Sequence, residues 1–266
     1  MSRRRLDIEL VRRGLARTRT EAQAAVRGGL VLVGGRPAEK ASTLVATDEP
    51  VELAGASRRF VSRGGEKLEA ALSRFGIDVS GRDCLDAGAS TGGFTDCLLR
   101  RGAARVAAVD VGYGQLAWSL RSDPRVVVLE RKNVRTLAPS DLPFVPDVVV
   151  ADLSFISLRL VIPALAAVVA NDGKLVLLVK PQFEAGRGDV GRGGVVRDAA
   201  VWQRAISDVA AACSAAGLGP QGVMASPLKG PAGNVEFALY AIEGAAGLPV
   251  ELDRAIGEGH QIGGLT

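Results

Sequence analysis

In the first part of the chain, apolar and polar positions predict two short helices followed by short strands. Leu6, Leu10 and Val11 fall at helical spacing. A second helix is expected after Thr18, because a glutamate stands three residues later as in a capping box, and it ends at the pair Gly28-Gly29. Strand-like runs follow at residues 30–33, 43–45 and 51–53. This pattern predicts a small α+β unit.

Further along, apolar strands alternate regularly with amphipathic helices. Runs such as VVVL, VVVA and LVLLV are apolar throughout, which is typical of a parallel sheet covered on both faces. Strands are predicted at residues 84–87, 106–110, 126–129, 147–151 and 174–179, and helices near 65–75, 94–100, 115–120 and 158–169. A helix at 201–215 and strands at 222–225 and 235–242 follow. We therefore expect an α/β fold with a mostly parallel, doubly wound sheet and an antiparallel edge strand.

The charge of the chain is unevenly distributed. The 266 residues carry a formal net charge of +4 at pH 7. Residues 1–66 hold 13 Lys and Arg against 8 Asp and Glu, whereas the remainder is close to neutral. A basic excess in the N-terminal unit is typical of a domain that meets a polyanion, although net charge constrains function only loosely.

Composition excludes several classes of protein. Cys84, Cys97 and Cys213 lie far apart and form no CxxC pair, so neither a disulfide framework nor a zinc site is predicted. With His260 as the single histidine, neither a Ser-His-Asp triad nor a His-ligated metal is predicted. The longest apolar stretch, residues 160–170, is too short to cross a bilayer. Because the basic N-terminus leads into no apolar secretory core, we expect a cytoplasmic protein without membrane contact.

A glycine-rich turn, LDAGASTGGF, lies between the first strand of the α/β region and its helix. Glycine lacks a Cβ, so the backbone NH groups of such a turn approach a ligand closely. Asp110 ends the next strand, where an acid accepts hydrogen bonds from the ribose hydroxyls of an adenosine cofactor. Dinucleotide oxidoreductases share this pairing of a glycine turn with an acid, so the pairing alone does not choose between cofactors.

The order D-x-G-x-x-x-G-G resembles the cofactor turn of class I, Rossmann-like methyltransferases, which use S-adenosylmethionine. By this resemblance Asn133 and Val134 flank the adenine, and Asp152 and Leu153 meet the methionine end. Asn133 is equally well explained as an ordinary turn residue. The full set of candidate cofactor residues is Gly88, Ala89, Ser90, Thr91, Gly92, Gly93, Asp110, Val111, Asn133, Val134, Asp152 and Leu153.

The methyl acceptor dictates which residues an enzyme needs. Methylation of exocyclic amines generally uses a D/N-P-P-Y/F motif after the fourth strand, where this chain reads DLSF, and carbon methylation of pyrimidines needs a cysteine that is absent there. A ribose hydroxyl is a very weak acid and needs a base or cations nearby. Lysine can serve when burial and neighbours lower its pKa. Lys180 and Asp152 end adjacent predicted strands, so we expect them to meet.

Two further residues complete a recognisable set. Lys67, Asp152, Lys180 and Glu236 match in order and spacing the Lys-Asp-Lys-Glu tetrad of FtsJ-like 2′-O-methyltransferases. With DAGASTGGF, VDVGYGQLAWSLR, VVADLSFISL, VKPQFE and GNVEF, the chain resembles the TlyA family. The resemblance implies S-adenosylmethionine-dependent methylation of cytidine 2′-hydroxyls in 16S and 23S ribosomal RNA, with the ribosomal subunits as partners. It also implies that Lys180 activates the hydroxyl, that Asp152 orients Lys180, and that Lys67 and Glu236 complete the cluster.

The N-terminal run RRRLDIELVRRGLARTRTEAQAAVRGGLVLVGGRPAEK resembles the S4 RNA-binding domain. By that resemblance Arg4, Arg5, Arg19 and Lys40 contact RNA phosphates. Residues 184–198 form a glycine-rich segment that either closes over RNA or is an ordinary surface loop. Additional phosphate contacts are expected from Arg63, Arg135 and Arg187. A small interaction module with ordinary surface arginines is the alternative for the N-terminal unit.

The expected organisation is an S4-like domain at residues 1–57, a linker at 58–62, an FtsJ-like methyltransferase domain at 63–245, and a tail at 246–266 without an assigned role. We expect a monomer without bound metal. Proteins of the TlyA type are also named haemolysins, so a membrane-active protein is a second hypothesis, although no strongly amphipathic cationic helix supports it. A ribosome-assembly factor that binds RNA without catalysis is a third.

Overall fold

The computed structural model describes residues 3–16, 18–46, 49–53 and 59–264, except for the side chains of Arg187 and Arg192. The chain divides into two compact units, Met1–Arg58 and Arg59–Thr266. The expected junction after residue 57 lies outside the described residues.

The first unit contains two helices and short strands, close to the predicted pattern. Its elements are β1 (Arg3–Arg5), α1 (Leu6–Arg12), α2 (Arg19–Arg27), β2 (Val31–Val33), β3 (Arg36–Pro37), β4 (Leu44–Ala46) and β5 (Val51–Leu53). Strand β1 pairs with β4, and β2 lies between β3 and β5. The predicted N-cap is confirmed, because Thr18 Oγ1 accepts a hydrogen bond of 3.1 Å from the backbone NH of Glu21. Leu6, Leu10 and Val31 are fully buried in its core.

Two buried carboxylates organise the arginines of this unit. Asp7 accepts hydrogen bonds from Arg5 and, at 3.0 Å each, from Arg19 and Gln23. Hydrogen bonding from Arg5 holds the pKa of Asp7 well below its usual range. Glu9 is likewise buried, and hydrogen bonding from Arg12 lowers its pKa to about 2. The unit therefore keeps two charged carboxylates in its interior.

The second unit is a three-layer α/β domain. Its elements are α3 (Gly64–Phe75), β6 (Asp83–Ala87), α4 (Gly93–Arg100), β7 (Arg105–Asp110), α5 (Trp118–Arg121), β8 (Val126–Glu130), β9 (Val148–Ala151), α6 (Ile162–Val168), β10 (Lys174–Val179), α7 (Pro181–Glu184), α8 (Ala199–Ala215), β11 (Leu218–Ala225), β12 (Phe237–Glu243) and α9 (Leu252–Gly263). Hydrophobic clusters cover both faces of the sheet, as its uniformly apolar strands predict.

The seven strands lie in the order β11-β12-β10-β9-β6-β7-β8. Strands β6 to β10 are parallel, and the strand order reverses between β6 and β9. The mostly parallel, doubly wound sheet is thus confirmed. Its antiparallel strand is β12, which lies between β10 and β11 and is therefore second from the edge.

Helices α5 and α6 are shorter than predicted. The helix expected at 115–120 forms only at Trp118–Arg121. Helix α6 starts at Ile162 after a 3-10 turn, because the fixed φ of Pro163 suits the first turn of a helix and not its interior. The strand expected from Val235 begins two residues later at Phe237.

The C-terminal segment, to which the sequence assigned no role, contains helix α9. Ala255 of this helix is buried, and a Cβ on Gly259 would lie 3.2 Å from the rings of both Phe237 and Trp202. Glu258 accepts a hydrogen bond of 3.1 Å from the backbone NH of Ala225 in β11. Helix α9 is therefore packed onto the sheet. Among the described residues, no helix has the length and apolar character needed to traverse a membrane.

Acid should destabilise the first unit. Because Asp7 and Glu9 have lower pKa values in the folded than in the unfolded chain, they stabilise folding above the unfolded value of about 4. This contribution is lost as the pH falls from about 4 towards 2. Asp7→Asn should already lose about 1–3 kcal/mol at pH 7 and show a flatter pH dependence. Hydrogen exchange of residues 3–53 in the whole protein measures both the stability at pH 7 and its change with pH. Glu39→Gln, which alters an exposed carboxylate, is the matched control. Identical profiles for both variants would refute this role for Asp7.

Candidate active site

A lysine and an aspartate meet at the carboxyl edge of two neighbouring parallel strands. Asp152 directly follows β9 and Lys180 directly follows β10. Lys180 Nζ lies 2.6 Å from Asp152 Oδ1 and donates a hydrogen bond of 3.0 Å to Ser154 Oγ. The side chain of Lys180 is only 9% exposed, whereas that of Asp152 is 23% exposed, so the pair borders solvent on its carboxylate side.

A second ion pair lies at the same edge of the sheet. Lys67, in the first turn of α3, donates a hydrogen bond to Glu236, and both side chains are buried. Glu236 immediately precedes β12, whose first residue Phe237 pairs with Val179 of β10. Glu236 therefore occupies the position next to Lys180 across the two strands. The four candidate residues form two ion pairs at one edge of the sheet, and Glu236 lies just before the strand in which the sequence placed it.

The loop after β9 is tied to the helix after β10 by Glu184. This buried carboxylate accepts hydrogen bonds from Ser157 Oγ and, at 2.7 Å, from the backbone NH of Leu158. Arg159 donates to its main-chain carbonyl oxygen at 3.3 Å. Burial raises the pKa of Glu184. Sequence reasoning missed this residue, although an acid four residues after Lys180 in the motif VKPQFE was a visible signal.

The glycine-rich turn after β6 is shaped by backbone contacts. Gly88 has a φ of +91°, and an added Cβ would lie 2.6 Å from the carbonyl oxygen of Asp152. A side chain at this position would thus collide with the end of β9. Asp110 accepts hydrogen bonds from the backbone NH groups of Ser90 at 2.8 Å and Gly112 at 2.6 Å. Both oxygens of its carboxylate are therefore engaged in fixing the turn.

Three acids gather around this turn. Asp86 is fully buried, accepts a hydrogen bond of 2.6 Å from Thr95 Oγ1, and has one oxygen without a hydrogen-bond partner among the described residues. Burial, together with the smaller effect of the charges of Asp152 and Asp110, raises the pKa of Asp86 to about 7. A negative site of this kind fits a cationic ligand such as the sulfonium and amino groups of S-adenosylmethionine.

The other candidate cofactor residues differ in accessibility. Val111 is 66% exposed, and Ser90 and Thr91 are also exposed. Val134 is buried in the hydrophobic core. Asn133 Oδ1 accepts a hydrogen bond of 3.0 Å from the backbone NH of Arg135 and so caps a 3-10 turn. The side chain of Asn133 thus stabilises a turn, which was the alternative to its predicted contact with the adenine.

An exposed aromatic ring lies beside the lysine. Phe155 is 92% exposed, and its φ of +63° is unusual for a residue other than glycine. Its ring centroid lies 5.3 Å from that of Phe183, and Lys180 Nζ lies 5.9 Å from the centroid of Phe183. Backbone strain of this kind clusters at functional sites. Sequence reasoning did not select Phe155, because an aromatic residue after a strand is ordinarily buried.

The predicted RNA-contacting cations differ in their surroundings. Arg5 and Arg19 form ion pairs with Asp7, although 41% and 55% of their side chains remain exposed. Arg63 precedes α3 and is exposed. The side chain of Arg187 lies outside the described part of the chain. The remaining candidates, all exposed, are Arg4, Lys40 and Arg135.

A doubly wound sheet with a glycine turn at its switch point, an acid after the next strand and lysine-carboxylate pairs beside them defines a class I methyltransferase. The model of the FtsJ-like methyltransferase family matches residues 60–242, and that of the S4 domain matches residues 4–51. The chain belongs to the FtsJ-like methyltransferase family.

Relatives with both regions share most of the chain. The 16S/23S rRNA (cytidine-2′-O)-methyltransferase TlyA of Mycobacterium tuberculosis is 53% identical over 97% of this chain and 100% of its own length. Hemolysin A of Brachyspira hyodysenteriae is 40% identical over 90% of this chain and 99% of its own. A solved structure of a hemolysin candidate from Streptococcus thermophilus has a TM-score of 0.80 and 38% identity, covering 98% of this chain and 97% of that one.

The pair of Lys67 and Glu236 should behave as a buried unit. Glu236→Gln leaves a buried ammonium without its counter-ion, so we expect a loss of about 3–5 kcal/mol in the free energy of unfolding. Lys67→Met combined with Glu236→Gln should recover most of it, because no charge then remains buried. Urea unfolding at pH 7 measures both. Arg74→Ala, which breaks the partly exposed pair with Glu258, should lose less than about 1 kcal/mol. Equal losses for the two pairs would contradict this interpretation.

Proposed function

We propose that this protein methylates the 2′-hydroxyl of cytidines in 16S, 23S or both ribosomal RNAs, within ribosomal subunits in the cytoplasm. The observation that carries the proposal is the contact of 2.6 Å between Lys180 and Asp152 at the strand edge beside the glycine turn. The S4 match and the name of the mycobacterial relative support ribosomal RNA as the substrate.

S-adenosylmethionine supplies an electrophilic methyl group when bound. The residues that would hold it are the turn from Gly88 to Gly93, Asp110 for the ribose hydroxyls, and Asp152 with Leu153 at the methionine end. Val111, Asn133 and Val134 would border the adenine, the last two chiefly through their backbone, because their side chains are engaged within the protein.

The protein must remove one proton from the attacking hydroxyl. We assign this step to the neutral amine form of Lys180, whose Nζ would take the proton of the 2′-hydroxyl as the oxygen bonds to the methyl carbon and the bond from that carbon to the cofactor's sulfur breaks. Asp152 stabilises the ammonium that results, and Ser154 Oγ orients it by accepting a hydrogen bond. Lys67 and Glu236 hold α3 against the start of β12 and complete the charged cluster.

RNA binding is divided between two surfaces in this proposal. In the first unit, Arg4, Arg5, Arg19 and Lys40 contact phosphates, with Arg5 and Arg19 shared between RNA and Asp7. In the second unit, Arg63, Arg135 and Arg187 do so. The exposed ring of Phe155 is suited to stack on an unpaired base.

For the chain as a whole we propose RNA binding by residues 1–57, a linker at 58–62 and methyl transfer by 63–245. Residues 246–266 receive no role in catalysis. Beyond the exposed cations, this division rests on the two family matches, of which the S4 match ends at residue 51 and the FtsJ-like match begins at residue 60, within the proposed linker.

A direct assay with ribosomal particles tests the proposed substrate. Purified 30S and 50S subunits from a strain without this modification are incubated with the protein and labelled S-adenosylmethionine. We expect label on one or both particles, and mapping of alkali-resistant linkages should place it on cytidine ribose. Label on bases, or on no RNA from either particle, would reject the proposal.

Variants of Lys180 separate proton transfer from charge. Lys180→Ala should lower kcat by about 10²-fold or more while leaving the affinity for S-adenosylmethionine unchanged. Lys180→Arg should be equally inactive, because a guanidinium keeps its proton. Single-turnover methylation and calorimetric cofactor binding measure the two quantities. Substantial activity of Lys180→Arg would show that only a positive charge is needed there.

Two other functions have distinct signatures. The hemolysin names of two similar proteins favour a membrane-active protein, and leakage of dye-loaded liposomes by this protein without any cofactor would support that function. A non-catalytic ribosome-assembly factor would bind S-adenosylmethionine and ribosomal particles but yield no methylated product.

A further inference from the structure

A preformed cavity of about 240 Å³ lies beside the candidate active site, between the glycine-rich segment after α7 and the C-terminal end of α9. We name it the Arg197 cavity. Its apolar lining includes Val195, Trp202 and Val235, and its cationic lining consists of Arg197 and Lys229. None of the described residues that line it is acidic.

The walls of the Arg197 cavity are held in place by buried hydrogen bonds. Asn234, which is 1% exposed, accepts from the backbone NH of Val196 and donates to the carbonyl oxygen of Gly194, each at 2.9 Å. Trp202 Nε1 donates to the carbonyl oxygen of Val196 at 3.1 Å. The cavity is therefore a fixed feature of the fold and does not depend on closure of a loop.

Its two cations are available to an anion. Arg197 is exposed and forms no ion pair or hydrogen bond with any described residue. Its neighbour Asp198 is committed elsewhere, because its carboxylate caps α8 by accepting from Ala200. Lys229 Nζ donates to the carbonyl oxygen of Gly263 at 2.8 Å, which leaves two of its three donors for a ligand.

The cavity adjoins the candidate catalytic residues. Val235, in its wall, directly precedes Glu236. Gly230 follows Lys229, and a Cβ there would overlap the Glu236 carboxylate. Arg63, one helical turn before Lys67, donates to the carbonyl oxygen of Lys229 at 3.5 Å. Val235 and Glu236 face opposite sides of the sheet, so the backbone of residues 229–236 would separate a ligand in the cavity from the Lys67–Glu236 pair.

We propose that the Arg197 cavity binds a second nucleotide of the RNA strand that is methylated. Its base lies over Val195 and Ala232 at the accessible rim of the cavity, because Trp202 is only 1% exposed. Its phosphate is bound by Arg197 and Lys229. The combination of an apolar pocket with cations and without acids matches the chemistry of an unpaired nucleotide. This inference deepens the proposed function and rests on it.

The test compares three variants of the whole protein, with the ribosomal subunit that the wild type methylates as substrate. Arg197→Ala should raise the KM for the subunit about 5–10-fold, change kcat less than about twofold, and reduce the slope of log affinity against log salt by about one. Ala232→Trp, which fills the cavity from its exposed rim, should raise KM without reducing that slope. Arg125→Ala removes an exposed arginine at the opposite edge of the sheet and should match the wild type in both quantities.

Three results decide the proposal. The expected changes in both variants, with unchanged affinity for S-adenosylmethionine and unchanged thermal unfolding, would support it. Values of KM and salt slope equal to those of Arg125→Ala in both variants would overturn it while leaving the proposed function intact. If the wild type methylates neither subunit, the proposed function is overturned and this inference with it. That result is obtained from the wild type alone, without any variant.

Discussion

The register of three strands at the carboxyl edge of the sheet is the constraint on which the candidate site depends. Val179 pairs with Phe237, so the residues that follow β10 and precede β12, Lys180 and Glu236, leave the sheet side by side. Asp152 follows the next strand in the same direction. Charges removed from water there cost several kcal/mol each unless opposite charges are close, and each lysine has its carboxylate. A slip of one residue would turn these side chains to the other face.

Rigid contacts between the loops hold the residues at this edge of the sheet in fixed positions. Gly88 allows the glycine turn to approach the end of β9, and buried Glu184 ties the loop after β9 to the helix after β10. The polar groups that face solvent, such as the outer side of Asp152, rest on this frame and need little reorganisation when a substrate binds. Phe155, held exposed with a left-handed backbone, is the one apolar ring beside Lys180 and Phe183 that the described structure leaves almost uncovered.

The N-terminal unit uses the same chemistry for a different purpose. Asp7 and Glu9 are buried on one helix and hold four arginines in place. Two of these arginines, Arg5 and Arg19, are among those for which the resemblance to the S4 domain predicts RNA contact. The basic excess of this unit is thus partly structural, because each internal carboxylate neutralises cations that would otherwise all face a polyanion.

The sequence by itself determined the elements and the class of fold. Periodicity identified the strands β6 to β10 and the helices α3 and α8, and a capping box identified α2. The resemblance of the turn LDAGASTGGF to that of class I methyltransferases indicated the cofactor class. These features are local, so a few neighbouring residues suffice to specify them. Only the tertiary structure showed that Lys67 is paired with Glu236, that Asp7 engages Arg19, and that Glu184 and Asn234 hold the loops. These contacts join residues far apart in the chain, and their distances follow from strand register and packing, which spacing along a sequence does not encode.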